Sequence, residues 1–178
     1  MADINFNKKI ITESFDGIAD FDTADFDNDG DRDVLGTSFS EDKISWWQND
    51  NGDGNSWTEN SSIENSEEIF ENYASDIDGD GNTDIVSASG SDSEIIWWSN
   101  VLGEGNSWKK NTFELGVNSD NNVLANVYAE DFDNDGDTDI LGGDSNNLYL
   151  FDNPNDGSSD WSYTTISRSD ISTYNYIS

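Results

Sequence analysis

The apolar residues of this chain come in short runs, bounded by Gly, Asn, Asp and Ser, and none recurs at helical spacing over a useful length. Three such runs are alike: Val34-Leu35, Ile85-Val86 and Ile140-Leu141. About ten residues after each comes an aromatic or apolar pair, Trp46-Trp47, Trp97-Trp98 and Leu150-Phe151. A Gly/Asn/Asp-rich turn follows, then Trp57, Trp108 or Trp161 opens a segment that ends at Ile63, Phe113 or Ile166. With a segment ahead of each set, every unit predicts four short β strands, here A to D, joined by turns.

Four-stranded units of about 50 residues in series predict an all-β chain, a β-propeller whose blades pack face to face. Blade 1 is expected over 16–63, blade 2 over 69–113 and blade 3 over 123–166. Residues 1–15 are expected to hold an orphan outer strand and linker, since Phe6 to Ile11 aligns with Trp57 to Ile63. Residues 167–178 are expected to hold an orphan inner strand, because Ile171 to Ile177 is similar to the A segments. The chain then offers about 3.5 repeats, fewer than a propeller needs to close. A homodimer closing a ring of about seven blades is the expected solution.

Between A and B each unit carries an acidic loop. It begins at Asp25, at Asp76 and at Asp131, 51 and then 55 residues apart. Its pattern is Asp-x-Asp-x-Asp-Gly-x-x-Asp, in which side-chain oxygens at positions 1, 3, 5 and 9 and the carbonyl of position 7 can surround a hard cation. Gly at position 6 permits the tight turn. The side chains are Asp25, Asp27, Asp29 and Asp33, then Asp76, Asp78, Asp80 and Asp84, then Asp131, Asp133, Asp135 and Asp139; Asp31, Asn82 and Asp137 offer carbonyls. An all-oxygen set of this size suits Ca²⁺ better than Mg²⁺, about three ions per chain in a structural role. An EF-hand would need Glu at position 12 and flanking helices; position 12 is Gly36, Ser87 and Gly142.

Charge narrows the functions. The 178 residues include 39 Asp+Glu and 7 Lys+Arg, a formal charge of -32, and neither His nor Cys. Disulfides, Cys/His zinc sites and His- or Cys-based catalysis are excluded. An acidic surface repels phosphates, so nucleic acid is not an expected partner. No apolar run approaches the ~18 residues of a membrane span, and the first residues do not read as a secretion signal. A secreted setting is expected from the calcium demand alone. No acid/base pair stands out beyond the loops, and no enzyme is expected.

The loops and their Ile/Val continuations resemble the FG-GAP/VCBS repeats of integrin-like β-propellers. That resemblance implies a calcium-binding loop between strands A and B of each blade, in a family of adhesion modules, lectins and domains attached to enzymes. Among its members, Psathyrella velutina-type β-propeller lectins hold sugars between blades. The Gly-Trp-Arg segment of that fungal group is absent here, so sugar specificity is not carried over.

Adjacent residues of a strand point to opposite faces, so the paired Trp residues serve as inter-blade core or, where a ring reaches a groove, as a platform for a sugar. Candidate sugar contacts are Trp47, Trp57, Trp98, Trp108, Trp161, Tyr73 and Tyr128. The expected function is a calcium-stabilised multivalent lectin binding glycans. A calcium-dependent adhesion module that binds protein is the alternative.

Overall fold

The computed structural model describes residues 7–64, 68–90, 94–115, 124–154 and 161–167. These residues form three four-stranded antiparallel sheets and no helix. Blade 1 consists of β1 (Ile18–Asp22), β2 (Val34–Ser38), β3 (Lys43–Asn49) and β4 (Trp57–Glu64). Blade 2 consists of β5 (Ile69–Ser75), β6 (Asp84–Ser89), β7 (Glu94–Asn100) and β8 (Trp108–Glu114). Blade 3 consists of β9 (Asn126–Glu130), β10 (Asp139–Gly143), β11 (Asn147–Asp152) and β12 (Ser162–Ser167). Each sheet is a meander in chain order, with the acidic loop joining its first two strands.

The three blades share their central register, with bulges in β1–β2, β3–β4 and β5–β6 that blade 3 lacks. Leu35 pairs with Asp22 and Trp46, Val86 with Tyr73 and Trp97, and Leu141 with Tyr128 and Leu150. Strand β1 lies beside β5, and β5 beside β9, so the first strands of successive blades are neighbours, as at a propeller axis. Each blade thus has a leading face toward the next blade and a trailing face toward the previous one.

Two apolar clusters fill the two junctions. Phe26, Leu35, Ile44 and Trp46 on the leading face of blade 1 meet Ile69, Ile85, Ile96 and Trp98 on the trailing face of blade 2. Ile77, Val86 and Ile95 of blade 2 meet Leu124, Val127, Ile140, Tyr149 and Phe151 of blade 3 in the same way. Each side chain of this size contributes roughly 1.5–3 kcal/mol on full burial. The alternation of period two explains the Trp pairs: Trp46 points forward and Trp98 points back.

Polar groups also cross the junctions. The amides of Asn72 and Ala74 donate to Asp20 and Asp22 at 2.9 and 2.8 Å, and that of Val127 donates to Glu71 at 2.8 Å. Acidic side chains on one blade thus cap the exposed N–H groups of the next blade's first strand, which pairs with a strand on its other side only.

Two expectations at the ends fare differently. Residues 7–11 form no strand, so the orphan outer strand is not found in its described part. Instead Phe15 packs edge-on against Trp47 with ring centroids 4.9 Å apart, and Lys9 donates to the carbonyl of Asp53 at 3.1 Å. The N-terminal segment drapes over the trailing face of blade 1 rather than extending its sheet. Phe6 and the orphan inner strand expected at 171–177 lie outside the described residues.

Candidate metal loops and an inter-blade groove

The acidic loops are organised by their own carboxylates. Position 1 accepts two backbone amides in every copy: Asp25 from Asp29 and Gly30, Asp76 from Gly79 and Gly81, Asp131 from Asn134 and Gly136, at 2.7 to 3.2 Å. Position 3 accepts the amide of position 5, and position 5 that of position 7, so Asp27, Asp78 and Asp133 and then Asp29, Asp80 and Asp135 all turn inward. The glycine at position 6 has φ of +95° (Gly30), +88° (Gly81) and +105° (Gly136), a region that residues with a Cβ avoid. Position 4 is left-handed as well, at Asn28, Gly79 and Asn134, the residue types that tolerate it.

Position 9 is the buried anchor. Asp33, Asp84 and Asp139 are almost inaccessible. One oxygen accepts the amide of position 2 (Phe26, Ile77, Phe132) at 3.0 to 3.1 Å. The other accepts the amide of an asparagine at the end of the third strand (Asn49, Asn100, Asn153) at 2.8 to 2.9 Å. Burial pushes the Asp33 carboxyl up to about 6 and that of Asp84 up to about 7, against the hydrogen bonds that lower both. Burial also raises Asp27, Asp78 and Asp137, with repulsion from neighbouring acids adding to each. Asp133 is raised although the Asp135 amide opposes it; desolvation and the charges of Asp135, Asp139 and Asp152 prevail.

Oxygens of Asp25, Asp27 and Asp29 lie within 4.8 Å of one another, as do those of Asp76, Asp78 and Asp84, and those of Asp131, Asp133 and Asp139. Each triad can hold a metal ion: the donors are all oxygen, and a cation would relieve the repulsion that helps to raise Asp27, Asp78 and Asp133. At position 7 the side chains of Asp31 and Asn82 turn outward. Asp31 lies against Gly52, and Asn82 accepts from Asn28 at 2.9 Å.

The asparagines that meet position 9 were legible as residues but not as a device. The Asn100 amide donates to Thr83 in its own loop (3.2 Å) and to the carbonyl of Phe26 in the previous blade's loop (2.8 Å). Asn153 repeats this with Thr138 (3.1 Å) and Ile77 (2.9 Å). One side chain therefore ties each acidic loop to the loop before it.

A family model for the FG-GAP-like repeat matches residues 25–87 and 76–141. The chain belongs to the FG-GAP-like repeat family. Each match runs from one acidic loop across the following blade boundary into the next loop, the same stretch that the Asn100 and Asn153 bridges span. No curated protein matches the FG-GAP-like chain.

The aromatic candidates separate in space. Trp47 and Trp98 are buried, at 4% and 7% exposure, so neither ring offers the open platform a sugar contact needs: Phe15 of the N-terminal segment covers Trp47, and packing against blade 1 covers Trp98. Trp57 and Trp108 are half-buried and donate their indole N–H to Gly54 (3.3 Å) and Gly105 (3.0 Å), each covering the turn before its own strand. Trp108 also packs edge-on against Phe26 of blade 1. Tyr73 and Tyr128 pack at a tilt across junction 2–3 with ring centroids 4.5 Å apart. The Tyr128 hydroxyl beside it, with desolvation, pushes Tyr73 up to about 12.

Trp161 stands at a cavity. A groove of about 760 Å³ runs between blades 2 and 3, bordered by the second and third acidic loops. Its apolar side is Trp97, Phe113 and Trp161, with Trp161 centroids 6.1 Å from Trp97 and 5.0 Å from Phe113. Its polar side includes Lys109, Asn111 and Thr112 of β8.

Proposed function

We propose that this chain is a calcium-stabilised carbohydrate-binding module, a lectin of the propeller type, whose ring is completed by pairing of two chains. Binding rather than catalysis is its task, and its setting is extracellular, where calcium is plentiful. Calcium suits the loops because six or more oxygens at flexible distances are on offer and no nitrogen or sulfur competes. The ion would lock three loops that the apo chain holds only by self-capping, which makes folding and metal loading one equilibrium.

The observation that carries the glycan reading is the groove at Trp97 and Trp161. Indole faces suit the apolar face of a sugar ring, and Asn111, Thr112 and Lys109 supply donors for its hydroxyls. With such a groove on each chain, two chains on one ring gain avidity from individually weak sites. The test is a glycan array on calcium-loaded protein beside an EDTA-treated sample, with W161A as control. Binding to a narrow glycan set, lost in both controls while W161A stays folded, is the expected result. A blank array from folded, calcium-loaded protein overturns the lectin and leaves protein adhesion as the reading.

A further inference from the structure

The groove between blades 2 and 3 lies where junction 1–2 carries a polar plug, and the plug shows what the groove lacks. In junction 1–2, Asn28 at position 4 of the first acidic loop reaches across to the second loop. Its amide donates to the side-chain oxygen of Asn82 at position 7 (2.9 Å) and to the carbonyl of Gly103 (3.1 Å). At junction 2–3 the repeat puts Gly79 in the place of Asn28 and Asp137 in the place of Asn82. Both of these residues line the groove. The counterpart of Gly103 lies outside the described residues.

Two changes therefore coincide. The donor is gone: a Cβ at Gly79 would meet nothing within 4 Å, so the space of the Asn28 side chain is open. The acceptor has gained a charge: Asp137 is half-buried, and among the described residues no donor reaches its carboxylate. The backbone has not changed with them. Gly79 has φ of +71°, beside +60° at Asn28 and +65° at Asn134, so the turn itself accepts asparagine here.

Charge decides which donor fits. At Asn28 and Asn82 a neutral amide meets a neutral amide, whereas the Asp137 carboxylate makes its stronger and shorter bond to a cationic donor. The surroundings favour the same choice. On the proposed calcium reading, four carboxylates against one divalent ion leave each loop with two negative charges, and Asp137 adds another. Lys109 is the single cation among the lining residues and does not offset them. The indole faces of Trp97 and Trp161 attract a cation as well as the apolar face of a sugar.

We infer that the groove selects a ligand bearing an ammonium group, which donates to Asp137 in the space that Gly79 leaves open, as the Asn28 amide does to Asn82. The rest of the ligand follows from the lectin reading, on which this part of the inference depends: it is a glycan carrying an unacetylated amino sugar. The sugar ring lies on Trp161 and its ammonium meets Asp137.

Calorimetric titration of the full chain tests this, in excess calcium and at mildly acidic pH, where the amine is charged. The probes are length-matched oligomers of glucosamine, N-acetylglucosamine and glucose, with a simple alkylammonium ion beside them. The glucosamine oligomer should bind on the order of tenfold more tightly than the other two. D137N, which copies Asn82, should remove that preference without unloading the third loop, because position 7 offers the metal only its carbonyl. G79N, which copies Asn28, should fill the space and lose glucosamine binding while keeping its circular dichroism. Equal affinity for the three oligomers overturns the inference and leaves a lectin indifferent to charge. Glucosamine binding that survives both variants is attraction to the acidic surface at large and overturns it too. If the alkylammonium ion binds the wild type but not G79N, and no oligomer binds, the lectin reading falls and the ammonium site stands. Folded, calcium-loaded protein that binds none of the probes overturns both.

Discussion

Junction 1–2 and junction 2–3 are made from the same repeat, yet one is sealed and the other carries a groove. At junction 1–2, Trp46 is buried and sends its indole N–H across to the carbonyl of Gly105 in blade 2 at 2.9 Å, while Phe26 packs between Trp46 and Trp108. At junction 2–3, Ile77 replaces Phe26, and Trp97 turns its N–H back to Asp84 of its own blade at 3.0 Å. Trp161 then leans on Trp97 and Phe113 and leaves the space open. A repeat therefore opens a groove by swapping the side chains that would fill a junction while keeping the backbone that frames it.

The largest test of this contrast is Asp84→Ala. It would strand the buried N–H groups of Ile77, Asn100 and Trp97 and loosen both junctions at once. A loss of about 3–5 kcal/mol in denaturant unfolding is expected, with the calcium-dependent increment in melting temperature gone. If the unfolding midpoint barely moved, position 9 would not be the anchor of the blade.

Next in size is the pH response of the metal-free chain. Folded Asp84 and Asp33 titrate near 7 and 6, well above the unfolded value of 3.8, so between these limits the folded state holds more protons. Stability is then greatest below the unfolded value and falls as pH rises through 6 and 7, by up to about 4 kcal/mol for Asp84. Thermal melts in EDTA from pH 5 to 8 should show a falling melting temperature. Calcium-loaded protein should show the opposite trend at the acid end, because protons compete with the ion.

Smaller again is Trp46→Leu, which copies the residue at the matching place in blade 3, Leu150. It removes the bond to Gly105 and should cost about 2–3 kcal/mol while opening junction 1–2 to a small fluorescent or saccharide probe. Unchanged probe access would mean that Phe26 alone seals the junction. The smallest effect expected is from Asn153→Ala, about 1–2 kcal/mol, through its two carbonyl partners at junction 2–3. Asn49→Ala, whose amide bridges no second loop among the described residues, should cost less in an equilibrium melt.

Most of the strand plan was legible in the sequence because three copies of one pattern reinforce each other. Val34-Leu35, Ile85-Val86 and Ile140-Leu141 all fall in the second strands, and the Trp pairs in the third. The acidic loops were legible too, since their ligands lie within nine residues and local spacing fixes local geometry. The asparagine bridges were not, although Asn49, Asn100 and Asn153 stood in plain view at the ends of their runs. Their decisive partners lie 74 and 76 residues away, and no local rule points there. Which Trp faces a groove depends on what the neighbouring blade contributes: the Trp46/Trp47 step looks the same in sequence whether its space is filled or open. The N-terminal segment misled for a related reason. Its similarity to the fourth strands shows that Ile10 and Ile11 are apolar, but not whether a strand stands beside them to pair with.

The asparagine bridge makes neighbouring acidic loops mechanically inseparable. Asn100 binds the carboxylate of Asp84 through its own backbone, the second loop through Thr83 and the first loop through Phe26, so one residue reads two metal positions. On the proposed calcium reading, an ion that fixes one loop also fixes the partner its neighbour must grasp. Occupancy then propagates along the array as cooperativity, and calcium titration should be steeper than for independent sites. On that reading, a chain of such blades would respond to the metal around it as a threshold rather than as a gradient.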